Sequence, residues 1–346
     1  MIQNQRITIK DVAKAAGVST QTVSRVINNR PDVSNDTRDR VQQVIESLGY
    51  SPNVIARSLS RGRSNALAVV GFGLGYFGST SVLTGIEQKT SELGFSLLLS
   101  LLDKFESSRV DQILRDLLSR QVDGIIWAIP GIDEVLAWLM GKFENISIPV
   151  VFLNKFQNGN DTVVAMDNLL GAQLATGHLL DQGYRRIGII AGPENWWEAQ
   201  QREAGWQETL KQAGIEYPDE LKVTGDWGAA SGDVGLHNLI ARSPDIDAVF
   251  ASNDQMALGV LQAARRLGLR VPDDLGIVGF DDIPEAAYFY PSLTTIRQDL
   301  RSLGALAVDR MCDLIKARQA GEEFAPDISW VKPKLIVRKS SIKNNH

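Results

Sequence analysis

Polar side chains able to hold a hydroxylated molecule recur in this chain at one kind of place, the end of an apolar run. Asn154 follows PVVFL, Asn253 and Asp254 follow AVFAS, and Asp281 and Asp282 follow GIVGF. Arg202 comes shortly after NWW, and Gln298 follows TTIR. A carboxylate accepts hydrogen bonds, a guanidinium donates them and an amide does both, so the set suits sugar hydroxyls. Trp196 and Trp197 stand side by side and Trp227 lies in GDWGAASG; an indole covers the apolar C–H face of a pyranose. Asn253, Asp254 and Asp282 are equally suited to capping a helix or closing a turn.

Bond-breaking chemistry has less support. Asp281 and Asp282 are adjacent, and neighbouring strand residues point to opposite faces, which does not suit a hydrolase that needs two facing carboxylates. No Ser-His-Asp pattern is present, and three histidines with the single Cys312 offer no metal cluster and no intrachain disulfide. The run Gly73 to Gly78 has GxGxxG spacing. It lacks an acid at a strand end ~20 residues on, so a dinucleotide site is discounted. No catalytic residue, metal or cofactor is expected. A sugar-active enzyme with an appended head remains the alternative from another class.

The polar ends need a scaffold. ALAVVGFG, GFSLLLS, GIIWAI, PVVFL, IGIIAG, AVFAS and LGIVGF read as buried parallel strands alternating with helical patterns. This predicts an α/β body of two doubly wound sheets, with ligands outside the strand C-termini. RQVDGIIWAIP and SPDIDAVFASN share a frame that hints at internal duplication.

The head differs in charge and pattern. Residues 1–63 hold ten Lys/Arg against five Asp/Glu, whereas the remainder holds 26 against 36. A basic head on an acidic body points to a polyanion partner for the head. Thr8 and Gly17 bracket one short helix, Ser19 caps a second, TQTVSRVINN, and Ser34 and Gly49 bracket a third. Two short helices joined by a tight Gly-bearing turn form a helix-turn-helix. Val23, Val26 and Ile27 face inward, which leaves Thr20, Gln21, Ser24 and Arg25 for a major groove. Residues 52–64 read as a short helix opened by Pro52, then a basic linker. No signal peptide or ~20-residue apolar span is seen, so a cytoplasmic protein away from membranes is expected.

DVAKAAGVSTQTVSRVIN is dense enough to be identified: the chain resembles the LacI/GalR family of bacterial transcription regulators. GYRRIGIIAGP, REAGW, FASNDQMALGVL, VPDDLGIVGFDD, PSLTTIRQDL and LIVRKSS carry the resemblance to the C-terminus. It implies a helix-turn-helix head (1–51), a hinge (52–64) and a two-lobed periplasmic-binding-protein-like body (65–346). The lobes are expected at about 65–165 with 297–326, and about 166–296 with 327–340. By resemblance Thr20, Gln21 and Arg25 match base-contacting positions, and Ser19, Thr22, Asn28 and Thr37 phosphate-contacting ones. Asn53, Ala56 and Leu59 match the DNA-contacting hinge helix, with Leu59 wedged into the minor groove.

In the body the resemblance places Asn154, Arg202, Trp227, Asn253, Asp281 and Gln298 at sugar-contacting positions, and Phe77 beside them. Trp227 matches galactoside-binding members, whereas Asn154 stands where those members carry a carboxylate. Trp196 and Trp197 border the expected cleft, where one of them would cover a second sugar ring. The expected protein is a repressor of carbohydrate-utilisation genes, released from operator DNA by a sugar, disaccharide or glycoside. A corepressor-dependent regulator binding a non-sugar metabolite is the nearest variant. The segment LIVRKSSIKNNH has no leucine heptads, so a homodimer is expected rather than a tetramer.

Overall fold

A computed structural model describes residues 7–50, 64–102, 106–132, 143, 146–154, 161–322 and 324–343. The chain divides into two compact units, Met1–Ser64 and Asn65–His346. The expected hinge positions Asn53, Ala56 and Leu59 lie outside the described residues.

The first unit holds α1 (Ile9–Ala16), α2 (Thr20–Ile27) and α3 (Asn35–Leu48). The Asp11 carboxylate accepts from the Thr8 amide and hydroxyl at 2.8 and 2.7 Å, closing the first turn of α1. Gly17 (φ 65°) and Gly49 (φ 60°) end α1 and α3 in the left-handed region, which a residue without Cβ enters freely. Val12, Ala13, Ala16, Val23, Val26 and Val41 form a small core flanked by Ile27, Val44, Ile45 and Leu48.

Among its described residues the second unit contains two six-stranded sheets. The first lobe is built from β1 (Ala66–Phe72), α4 (Phe77–Glu92), β2 (Ser96–Leu102), α5 (Ser107–Ser119), β3 (Gly124–Ala128), β4 (Val150–Leu153) and β5 (Thr162–Met166). The second is built from α6 (Asn168–Asp181), β6 (Ile187–Ala191), α7 (Trp197–Gln212), β7 (Lys222–Thr224), α8 (Ala229–Arg242), β8 (Ala248–Ala251), α9 (Asp254–Arg266), β9 (Gly276–Asp281) and β10 (Thr294–Arg297). The chain then returns to the first lobe with α10 (Leu300–Ala320) and β11 (Ile328–Val331), and ends in the second with β12 (Lys334–Ile336). Strand orders are β11-β5-β4-β3-β1-β2 and β12-β10-β9-β8-β6-β7. β3 and β8, the pair with the shared sequence frame, occupy the same position in their sheets.

This topology corrects the lobe limits read from sequence. Residues 327–340 do not all belong to the second lobe: β11 pairs in parallel with β5, and only β12 joins β10. The last crossing therefore falls between Val331 and Lys334. The small strands β5, β7, β10, β11 and β12 were not singled out from sequence, because three to five residues carry little periodicity.

Continuous apolar runs follow from burial on both faces. In β1, Ala66, Ala68 and Val70 join one core with Val110, Ile113 and Leu117, while Leu67 and Val69 join the other with Ile86, Leu303 and Met311. Among the described residues no helix is long and apolar enough to cross a membrane. In the second lobe, α8 and α9 approach so closely that a Cβ on Gly259 would lie 1.9 Å from the Ala229 carbonyl oxygen. Gly259→Ala is expected to cost about 1–3 kcal/mol through overpacking. A lower calorimetric melting temperature for the body transition would show it.

Candidate functional site

In the head, packing of Val23 and Val26 leaves Thr20, Gln21 and Arg25 exposed on α2. Ser19 Oγ accepts from the Thr22 amide at 3.1 Å, and the two hydroxyls lie 2.9 Å apart at the helix N-terminus. Asn28 donates to the Ser24 carbonyl at 2.8 Å, and Thr37 accepts from Ser34 at 2.9 Å. Arg25 lies 3.4 Å from Asp32, with both side chains about half exposed, so this pair is a weak one that phosphate or a base edge can displace. The arrangement gives one helix end rich in small donors, with a long amide and a guanidinium beside it.

The body holds a cleft between its lobes. It is open to solvent at its mouth and gathers Phe77, Asn154, Trp196, Arg202, Trp227, Asn253, Asp281 and Gln298. Eight of the nine sequence candidates therefore converge. The ninth, Trp197, does not. It is buried in the core of the first lobe, tilted against Trp330 at 6.5 Å, and its amide donates to the Gly131 carbonyl at 3.0 Å. The reading of Trp197 as a ligand-covering ring is thus corrected. It opens a second-lobe helix yet fills a first-lobe core. Trp196 takes the cleft position, with ring centroids 6.1 Å from Phe72, 5.6 Å from Tyr76 and 5.7 Å from Trp227.

Arg202 is the centre of the site. Its Nε donates to Asn168 Oδ1 at 2.9 Å, one terminal nitrogen donates to the Ser252 carbonyl, and the same nitrogen lies 3.8 Å from Asp281 Oδ1. The guanidinium also sits 3.8 Å from the Phe280 ring centroid and 5.4 Å from that of Trp227. Asp281 accepts from Gln298 at 2.5 Å. Burial pushes its carboxyl up to about 6, although Arg202 and Gln298 pull the other way.

Asn253 does two jobs. Its Oδ1 accepts from the Met256 amide at 2.8 Å as the cap of α9, while its Nδ2 donates to the Trp227 carbonyl at 3.0 Å. Asp254, weighed above as a cap, instead ties the turn after β9 to β10. It accepts from the Thr295 hydroxyl at 2.5 Å and the Ile283 amide at 2.9 Å. Asp282 pairs with Arg297 and Arg338, each at 2.6 Å, and is not among the cleft-lining residues.

Backbone strain concentrates here. Asn154 (φ 69°), Trp227 (φ 72°) and Asp281 (φ 116°) are non-glycine residues at positive φ, and all three line the cleft. Such strain persists where the surroundings over-determine a side chain's direction. Sequence reading missed two members. Asn168 orients Arg202, and Glu198 lines the cleft and accepts from Asn154 across it at 2.6 Å. The usable signal for Glu198 was its spacing, one turn of helix before Arg202.

A basic helix-turn-helix head and a two-lobed body whose largely apolar cleft carries a cluster of polar and aromatic side chains define a ligand-responsive transcription regulator. The chain matches the family models for bacterial regulatory proteins of the lacI family at residues 8–53 and for the periplasmic binding protein-like domain at residues 176–341. It is 35% identical to the ribose operon repressor of Escherichia coli (strain K12) over 87% of this chain and 91% of that one. Its structure is similar to the lac repressor dimer bound to operator and the anti-inducer ONPF (TM-score 0.87, 30% identity, covering 98% of this chain and 100% of that one). It is also similar to the transcriptional regulator CelR–cellobiose complex (TM-score 0.70, 31% identity, 97% and 100%). The chain belongs to the LacI family: it is a DNA-binding transcriptional repressor that carries a ligand-binding body.

Replacing Arg202 with Met should cost about 3–5 kcal/mol, since Asp281 would be left buried without its cation; denaturant titration of the body measures it. Asp281 holds its proton more tightly folded than unfolded. It therefore adds stability to the unliganded body as pH falls through about 6, and a ligand that needs the carboxylate binds more weakly over that range. Melting curves between about pH 5 and pH 8 should show this stabilisation in the wild type and lose it in Asp281→Asn.

Proposed function

We propose that this repressor binds operator DNA as a homodimer and is released by a sugar of two rings or a glycoside held between the lobes of the body. The observation that carries the reading is the cleft itself. Arg202, Asp281, Asn253, Asn154 and Gln298 supply donors and acceptors in one cavity whose walls include Trp196, Trp227 and Phe77. Hydroxyl groups need the first set, and the C–H face of a pyranose needs the second. The aromatic row Phe72, Tyr76 and Trp196 extends the wall away from Trp227, which favours a second ring beside the first. Occupation of both halves by one ligand changes the balance between open and closed lobes, and so the geometry delivered to the DNA-binding heads.

Ligands of similar relatives support the direction: cellobiose is bound to CelR, and the ribose operon repressor takes its name from a sugar operon. In the head, Thr20, Gln21 and Arg25 read base edges, while Ser19, Thr22, Asn28 and Thr37 hold phosphates. Asn53, Ala56 and Leu59 are proposed to contact the minor groove.

A thermal-shift screen of mono- and disaccharides tests the effector, followed by fluorescence anisotropy on operator DNA with the sugars that stabilise the protein. A stabilising sugar should weaken operator binding, and operator should weaken sugar binding by the same factor. Saturating sugars that leave operator affinity unchanged would refute induction. Trp196→Ala should weaken a disaccharide more than a monosaccharide, and equal losses would remove the second-ring reading. Gln21→Ala should cost about 1–3 kcal/mol on the cognate operator and relax preference at one base pair.

A further inference from the structure

Three chain crossings join the lobes: between β5 and α6, between β10 and α10, and between β11 and β12. A further tie is made without the chain crossing, by three consecutive residues at the start of α7. The rest of that helix belongs to the second lobe, with Ala199, Trp206 and Leu210 in the second-lobe core. Its first residues reach the other way. Trp196 forms an antiparallel backbone bridge with Ile132, which follows β3, and its ring meets Phe72 and Tyr76. The Trp197 amide donates to the Gly131 carbonyl at 3.0 Å, and its ring joins Ile125, Trp127 and Phe152 in the first-lobe core. Glu198 accepts from Asn154, just after β4, at 2.6 Å. The core that Trp197 enters lies on one face of the first sheet, whereas Leu303, Val308 and Met311 of α10 pack on the other. The tie therefore sits across the sheet from the helix that follows the β10 crossing.

We propose that Trp197 is the pin of a latch between the lobes, which holds them together in the unliganded protein and sets how readily they part. A ring lent by one lobe to the core of the other couples core packing to lobe position. Parting the lobes would draw the indole into water and leave a void among its first-lobe neighbours, which a close-packed interior refills only in part. The Trp196–Ile132 bridge and the Asn154–Glu198 bond break in the same movement, so the tie is made or lost as a unit. Packed contacts of this kind have two arrangements rather than a continuous range. Trp197 is not among the residues that line the cleft. It therefore acts on an effector only through the fraction of molecules whose lobes are together. The latch operates whatever the chemistry of that effector.

Single-molecule resonance energy transfer across the lobes of the full chain tests this without any ligand. Dyes are carried by Ser91→Cys on α4 and Lys211→Cys on α7, both exposed, in a Cys312→Ser background. Labelled protein is diluted into unlabelled protein, so that each assembly holds one dye pair. With Trp197 in place, the unliganded protein should give one narrow transfer efficiency. Trp197→Ala should broaden it and shift it toward lower transfer. Val110→Ala, which damages the same core from within the first lobe, should lower the melting temperature and leave the transfer efficiency unchanged. A sugar that stabilises the wild type should bind Trp197→Ala about 10-fold more weakly and, at saturation, restore the wild-type transfer efficiency. Folded Trp197→Ala with the wild-type distribution overturns the proposal, and so does an equal shift in Val110→Ala. If Trp197→Ala does not fold, Trp197→Leu takes its place, with the same expected shift and the same refutation if none is seen. If no sugar binds, the sugar reading falls alone, because the unliganded transfer measurement still decides the latch.

Discussion

A guanidinium out of water must be surrounded by acceptors, and much of the body is arranged around that requirement at Arg202. The cation is met by Asp281 at the end of β9, the Ser252 carbonyl after β8, and Asn168 at the start of α6, with the Phe280 ring beneath it. Each of these groups lies at the C-terminal edge of a strand or the first turn of a helix. The charge therefore pins several element ends at once. Gln298 then fixes Asp281, and Asp254 fixes the strands that carry both. Leaving the charge unmet would cost several kcal/mol, so the ends cannot relax independently.

The aromatic wall depends on the same economy of space. Gly192 follows β6 without a side chain, and the Trp227 ring lies against it; a Cβ there would fall 2.2 Å from a ring carbon. Asn253 holds the Trp227 backbone at its positive φ. Trp196 then packs edge-on to Trp227 on one side and to Phe72 and Tyr76 on the other. Its neighbour Trp197 turns the opposite way, into the first-lobe core beside Trp330. Two identical adjacent residues thus do different work: one walls the cleft, and the other anchors a second-lobe helix in the first lobe.

Much of this was legible. The helix-turn-helix was readable because its caps, its glycine stop and its narrow apolar stripe are local features with few alternatives. The strands were readable where apolar residues run together, as in ALAVVGFG, GIIWAI and IGIIAG. Asn154, Asn253, Asp281 and Gln298 were readable because polar groups at strand ends of an open α/β sheet face the ligand side, and Arg202, inside a helix, through the family resemblance. Glu198 was hidden, since a glutamate in the first turn of a helix looks like an ordinary favourable charge near the helix N-terminus. Asn168 was hidden for a similar reason: its partner Arg202 is 34 positions away.

The amino-acid sequence by itself determined the two kinds of unit, the polarity of charge between them and most of the polar candidates for the cleft. These depend on residue type and short spacings, which need no knowledge of distant partners. Only the tertiary structure decided which of two adjacent tryptophans meets the cleft, which sheet receives each of the last two strands, and that Glu198 reaches Asn154 across the lobes. Those choices turn on long-range packing, where residues 44 positions apart close onto a 2.6 Å contact that no local pattern specifies.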